Sequence, residues 1–220
     1  MPTIDTFLFD LDGTLIDSIE LILRSFRHTL RQHNQTVPPD RVWLAGIGTP
    51  LRTQLRAFAR EPAELESLIA TYRNYTLAHH DDLVRPYPGI TSALESLRAA
   101  AGCLAVVTSK ARAGMHRGLE VCGLTGLFDA HVAADDVSHH KPHPAPVLKA
   151  LELLGADPSR TVFVGDSPHD MASGRAAGVR TAAALWGPFQ RSDLELNPPD
   201  HWLTQPSEIA TFATTTNSRG

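Results

Sequence analysis

Residues 6–18 read TFLFDLDGTLIDS, from Thr6 to Ser18. The run Thr6–Phe9 has the length and apolar character of a buried strand. It ends in two aspartates one residue apart, Asp10 and Asp12, followed at once by Gly13 and Thr14. Neighbouring carboxylates raise the cost of ionising one another. A strand that ends this way therefore calls for a metal ion, a proton shared between two roles, or exposure on a turn.

Outward from this stretch the same pattern recurs. Apolar runs of strand length lie at Leu104–Val107, Ala130–Ala133, Thr161–Val164 and Arg180–Leu185, and most end in Asp, Thr or Gly. Helical patterns follow at Arg112–Cys122, Pro144–Leu154 and His169–Ala177. Strands alternating with helices predict an α/β fold, a parallel sheet with helices on its faces, whose ligands bind beyond the carboxyl ends of the strands.

Residues 17–84 break the alternation. Asp17 or Ser18 can cap a helix in which Ile19, Ile22, Leu23, Phe26 and Leu30 recur at helical spacing. Further helical patterns cover Thr49–Ala59 and Pro62–His79, the latter carrying Leu65, Leu68, Ile69, Tyr72 and Leu77. This predicts an all-helical insert, closed by Pro86, Pro88 and Gly89 as a stiff re-entry. The main domain then comprises residues 1–16 and 85–210, the insert residues 17–84, and the tail 211–220, TFATTTNSRG, is expected to be disordered.

Composition narrows the class. The chain has 220 residues, 42% of them apolar and 20% charged, enough for a real core. A formal net charge of -4 gives no reason to expect nucleic acid or an anionic membrane as a partner. No apolar run approaches a membrane span, and residues 1–20 hold four aspartates and no basic region of a signal peptide. Cys103 and Cys122 sit in apolar segments without CxxC spacing, which reads as buried free thiols and a reducing cytoplasm. A cytoplasmic protein is expected. Its oligomeric state is left open, a homodimer included.

Four strand ends carry unusual residues. The first holds Asp10 and Asp12. The second, VVTSK, places the hydroxyls of Thr108 and Ser109 at a strand end, with Lys110 behind. The third, HHKPHP, holds Lys141, one of three lysines in the chain. The fourth, VGDSPHD, sets Asp166 at a strand end and Asp170 four residues on, facing the same edge if a helix starts near Ser167 or Pro168. A hard divalent cation such as Mg²⁺ would offset the carboxylate repulsion. A phosphate would find hydroxyls, N–H groups and Lys141. One aspartate can then attack phosphorus while the other protonates the leaving oxygen and later activates water.

DLDGT, VVTSK, the HKPHP lysine and VGDSPHD, in this order, resemble the haloacid-dehalogenase-like phosphatases, over roughly residues 4–210, and four ordered motifs are far more specific than any one alone. The resemblance implies a Rossmannoid, doubly wound core with an α-helical cap as mobile lid. It implies Asp10 as the residue phosphorylated and Asp12 as general acid/base. Thr108 and Lys141 would hold the phosphoryl group. Mg²⁺ would be bound by Asp10, the Asp12 carbonyl and Asp166, with Asp170 close behind. Within the family the sequence is similar to phosphoglycolate phosphatases and to inorganic pyrophosphatases of this fold. SFRHTL, HHDDLV, TSKAR and ALELLGA resemble the pyrophosphatase branch, but they are framework segments. The expected substrate is a small phosphorylated metabolite, 2-phosphoglycolate first, pyrophosphate second and a broad range of phosphomonoesters third.

Other members are disfavoured by residues. Dehalogenases, which attack carbon, lack the second aspartate; here Asp12 is present. Phosphonate hydrolases use a cap lysine, yet residues 17–84 contain none. The cap stretch WLAGIGTPLRTQL lacks the signature of sugar-phosphate mutases. A phosphotransferase excluding water and a catalytically silent binding module rank lower.

Plainer readings stand beside these. Asp10–Gly13 could be an acidic turn; a calcium loop is disfavoured because Leu15 and Leu21 stand where glycine and glutamate are required. Thr108 and Ser109 could cap a helix, Lys141 could lie on the surface, and Asp170 could only cap its helix. His139, His140 and His143 lack a cysteine partner for zinc and read as solvated. His79 and His80 suit the C-terminal dipole of a cap helix. Gly46-Ile47-Gly48 could be a helix–helix turn; by resemblance it is the loop that dips over the substrate. Beyond the phosphoryl group an anionic substrate needs donors. Backbone N–H groups of Gly46 and Gly48, and Arg52 on the helix that follows, are the expected ones.

Overall fold

The computed structural model describes residues 3–100 and 102–214. Strands β1 (Thr6–Phe9), β4 (Cys103–Val107), β5 (Ala130–Val132), β6 (Thr161–Gly165), β7 (Arg180–Ala184) and β8 (His201–Leu203) form one parallel sheet in the order β5-β4-β1-β6-β7-β8. The first strand thus lies inside the sheet. Phe9 is in register with Val106 on one side and Val164 on the other, and the Asp10 N–H donates to Val164 O at 2.9 Å. That register carries Asp10 and Asp166 off adjacent strand ends.

Alternation along β1 sorts its side chains. Phe7 and Phe9 join the core beneath α5 (Ile90–Ala99) and α6 (Arg112–Val121), with Leu94, Leu97, Met115 and Leu119. Leu8 faces the other way, with Val147, Ala150 and Leu151 of α7 (Ala145–Leu154), while α8 (Pro168–Ala176) packs on β6 and β7. Helices cover both faces, as parallel sheets require.

Between β2 (Ile16–Asp17) and β3 (Arg85–Pro86) the chain is helical: α1 (Ile19–Gln32), α2 (Asp40–Leu44), α3 (Leu51–Arg56) and α4 (Pro62–Leu83). These four share their own core of Leu23, Phe26, Leu30, Trp43, Leu55, Leu65, Leu68 and Ile69. Phe26 stacks on Trp43 with ring centroids 4.1 Å apart, an arrangement that adds about 1 kcal/mol to the area buried. The outgoing and returning connections pair antiparallel, Ile16 with Pro86 and Asp17 with Arg85.

Three expectations change. Thr211–Thr214 form a short helix, α9, and Phe212 packs against the sheet core with its ring 4.9 Å from that of His201. The disorder expected for 211–220 therefore fails over these four residues; 215–220 lie outside the described residues. Cys103 is exposed because it is the first residue of β4, ahead of Ala105 and Val107 on the same face, which are buried in the core beneath α7; Cys122 is buried and both thiols are free. His80 is buried on the last turn of α4, and burial holds its pKa below the usual value, so it does not serve as a helix-end cation. Among the described residues no helix is long and apolar enough to cross a membrane.

Candidate active site

The loops after β1, β4, β5 and β6 bring the marked residues together. Lys141, between β5 and α7, is buried, with its Nζ 2.7 Å from Asp10 Oδ1 and 2.6 Å from Asp170 Oδ1. Asp170 owes its place to a helix start. Ser167 caps α8, its side chain accepting from the Asp170 N–H, and Asp170 Oδ2 accepts from the Ser167 N–H at 3.0 Å and from Ser167 Oγ at 2.6 Å. Asp170 thus has both oxygens engaged, one on the helix cap and one on Lys141.

Asp166 differs. Its Oδ1 accepts from Thr14 Oγ1 at 2.8 Å, and Trp186 Nε1 donates to Thr14 O at 2.9 Å, fixing the turn after Asp12. Its Oδ2 is buried and has no hydrogen-bond partner among the described residues. Two glycines crowd this carboxylate: a Cβ on Gly13 would lie 2.6 Å from Oδ2, and one on Gly187 2.6 Å from Asp166 Cβ. One oxygen each of Asp10, Asp166 and Asp170 lie within 4.8 Å of one another.

Electrostatics follow from burial. Burial pushes Asp10 up to about 7 against the pull of Lys141, and the carboxylates of Asp170 and Asp12 push the same way. Burial, then Asp170 and Asp10, hold Asp166 well above the usual carboxylate range. For Lys141 burial favours the neutral amine, but Asp10 and Asp170 outweigh it and hold the ammonium above its ordinary value. An orphaned carboxylate oxygen beside two others, with too little positive charge to keep all of them ionised, fits a hard divalent cation.

Asp12 lies at the rim of this cluster. Its Oδ1 accepts from Ser18 Oγ at 2.5 Å and from Lys110 Nζ at 2.6 Å. Thr108 is buried at the end of β4, where its N–H donates to Val132 O at 2.9 Å and its Oγ1 accepts from the Lys110 N–H at 3.1 Å. Ser109 Oγ donates to Gly48 O at 2.6 Å, so the helical segment meets the sheet edge here. Gly48 has a φ of +92°, and a Cβ there would lie 2.7 Å from Ser167 Oγ. Gly46 lies two residues back, where a Cβ would meet the Gln54 side chain at 2.9 Å.

Arg52 is not brought in. Its guanidinium makes two hydrogen bonds to Glu66, at 2.6 and 2.9 Å, with both side chains exposed. The first turn of α3 directs this side chain to α4, not to the strand ends. The reading of the sequence did not mark Thr14, Ser18 or Ser167 as parts of the site. Ser167 at the residue before a helical proline was the available signal.

The model of the family described as haloacid dehalogenase-like hydrolase matches residues 7–184. Pyrophosphatase PpaX of Anoxybacillus flavithermus is 40% identical over 208 residues, covering 94% of this chain and 95% of that protein. Pyrophosphatase PpaX of Bacillus cereus is 40% identical over 206 residues, covering 94% of each. Among solved structures, a predicted phosphoglycolate phosphatase from Haemophilus somnus superposes with a TM-score of 0.86 at 24% identity, over 96% of this chain and 98% of that one. At that identity the likeness shows the fold.

Proposed function

The chain belongs to the haloacid dehalogenase-like hydrolases and is a phosphatase-type hydrolase, and on that premise we propose that it hydrolyses pyrophosphate with Mg²⁺, through phosphorylation of Asp10. The observation that carries this reading is the orphaned Asp166 Oδ2 beside the Asp10–Lys141 pair. Asp10 and Asp166 would hold the Mg²⁺, with the Asp12 carbonyl, while Asp170 orients Lys141 and stands behind them. When bound, the ion would neutralise the carboxylates and the incoming phosphoryl oxygens.

The residues divide the work. Asp10 contributes a carboxylate oxygen that forms a bond to phosphorus as the bond to the leaving oxygen breaks. Lys141 balances charge on the phosphoryl oxygens, and the Thr108 hydroxyl and the Ser109 N–H after β4 take the rest. Asp12 delivers a proton to the leaving oxygen. It then takes one from the water that attacks the aspartyl-phosphate, which releases phosphate and restores Asp10. Gly46 and Gly48 close over the site, the Gly48 carbonyl resting on Ser109.

Pyrophosphate moves ahead of 2-phosphoglycolate because relatives matching nearly the whole chain at 40% identity are pyrophosphatases by name. The second reading, 2-phosphoglycolate, is favoured by Lys110, an ammonium beside Asp12 that suits a carboxylate as well as a phosphoryl group. The test is phosphate release with Mg²⁺ from pyrophosphate, 2-phosphoglycolate and a panel of sugar phosphates. The highest kcat/KM is expected for pyrophosphate. A higher value for 2-phosphoglycolate would transfer the assignment to it, and release from none would reject both.

A further inference from the structure

An enzyme that cleaves a substrate carrying a second anionic group needs a cation for that group. The helical segment between β2 and β3 contains no lysine, and four of its arginines are engaged with outlying carboxylates: Arg24 with Glu20, Arg27 with Asp40, Arg52 with Glu66 and Arg60 with Glu64. Lys141 is already shared between Asp10 and Asp170.

Lys110 is placed differently. Its backbone is fixed on both sides, the N–H donating to Thr108 Oγ1 at 3.1 Å and the carbonyl accepting from the Ala134 N–H at 3.0 Å. Its stem runs past Gly114, where a Cβ would lie 3.2 Å from Lys110 Cε, so the absence of a side chain at residue 114 leaves the lysine its path. The ammonium ends 2.6 Å from Asp12 Oδ1, the one acceptor it has among the described residues, and its side chain keeps 16% of its exposure. An ammonium has three donors, so two remain for a ligand. The nearby His80 is buried, with its Nδ1 on Asp81. It offers no competing positive charge.

The position relative to Asp12 gives the side of the substrate. The group that protonates the leaving oxygen stands beside it, so a cation bound to that group stands beside the leaving group as well. We propose that Lys110 binds the second anionic group of the substrate, the departing phosphate of pyrophosphate or the carboxylate of a phosphorylated hydroxy acid, and so sets the preference of the enzyme for doubly anionic substrates. This rests on the phosphohydrolase reading above. It assigns to the sheet edge the role that the sequence alone assigned to Arg52.

The test uses binding, so that it does not depend on turnover. In the full-length Asp10→Asn protein with Mg²⁺, calorimetry measures affinity for imidodiphosphate and for inorganic phosphate, with Lys110 intact or changed to Met or Arg. Lys110→Met is expected to weaken imidodiphosphate at least tenfold, about the cost of one charge-assisted hydrogen bond, and phosphate far less, while Lys110→Arg retains most of the affinity. Repeating the comparison with 2-phosphoglycolate and methyl phosphate separates a carboxylate source of the second charge from a phosphoryl one. Equal weakening of imidodiphosphate and phosphate, or no weakening of either, would overturn the role of Lys110. Turnover by the Asp10→Asn protein would instead overturn the phosphohydrolase reading.

Discussion

Gly13 stands against Asp166 so closely that a Cβ on the glycine would lie 2.6 Å from the Asp166 Oδ2, the oxygen without a hydrogen-bond partner among the described residues. The glycine has a φ of +86°, which favours a residue without a side chain whatever the space. Both facts keep one face of a buried carboxylate clear. Gly13→Ala is therefore expected to weaken Mg²⁺ binding at least tenfold and to lower the melting temperature of the metal-free protein, since a Cβ here meets both strain and contact. Calorimetric Mg²⁺ titration checks the first effect; unchanged affinity would mean that this face is not where the ion binds.

Metal identity follows from the same corner. Activity should vanish on chelation and return with Mg²⁺. Ca²⁺ should inhibit, because it takes more ligands at longer distances and would misplace Asp10. Rates of phosphate release after chelation and readdition decide this, and equal rates with Ca²⁺ would contradict the site.

Asp10→Asn should abolish turnover and yet stabilise the metal-free protein at high pH. A carboxyl held up to about 7 in the fold binds its proton more tightly than in the unfolded chain, so its contribution falls as pH rises from the unfolded value of 3.8 through about 7. Between pH 5 and 8 this is on the order of 2 kcal/mol, at 1.36 kcal/mol for each unit, and Asp166, whose carboxyl Asp10 helps to hold up, moves the same way when residue 10 is neutral. Lys141, raised above its ordinary value, is charged in both states throughout that window and adds no slope. His80 and His131, whose pKa values burial lowers, give stability that rises with pH, so the comparison is made between variant and wild type. Denaturant unfolding at pH 5 and 8 should show the advantage of Asp10→Asn growing with pH. A constant difference would mean that Asp10 titrates normally.

How much of this was legible depended on whether a residue's role is local. Phe7 and Leu8 face opposite sides of β1 by strand alternation, and the five predicted sheet strands appear in the sheet. The convergence of Asp10, Lys141, Asp166 and Asp170 followed from the rule that such loops share one sheet edge. What escaped was short or non-local. Strand β8, His201–Leu203, is three residues with a histidine and a tryptophan, too brief to show a period, and β2 and β3 are two residues each. Helix α5 carries Ile90, Leu94 and Leu97 at helical spacing, a signal present but not marked. The ionic partners of Asp12 and Arg52 come from other chain segments, Lys110 lying 98 residues from Asp12 and Glu66 14 residues from Arg52. No local pattern encodes such pairs.

Lys141→Ala should cost about 3 kcal/mol or more in kcat/KM, the scale of a charged group clamping a transferring phosphoryl. Asp170→Asn should cost less, because Asp10 still holds the ammonium while only one of its two carboxylate contacts is lost. Steady-state kinetics with pyrophosphate rank the two. An effect below about 1 kcal/mol for Lys141→Ala would remove it from the chemistry.

The helical segment supplies the last comparison, Gly48 against Arg52. Arg52 pairs with Glu66 in the open, and exposed pairs of this kind contribute little. Arg52→Ala should therefore leave kcat/KM within about twofold for every substrate, unlike the loss that the expected role of Arg52 as a donor beyond the phosphoryl group would bring. Gly48 is tied to the site. Its carbonyl accepts from Ser109, and a Cβ there would lie 2.7 Å from the Oγ of Ser167, which hydrogen bonds Asp170, the partner of Lys141. A valine must adopt a φ of +92°, which β-branched residues strongly disfavour, and push on that chain of contacts. Gly48→Val should lower kcat/KM at least tenfold for pyrophosphate and for an aryl phosphate with no second anionic group alike, because the disturbance reaches the clamp on the phosphoryl group and not only the second anion. Measured with both substrates, a loss confined to pyrophosphate would show instead that Gly48 serves the distal group alone and that its contact with Ser167 carries nothing to Lys141.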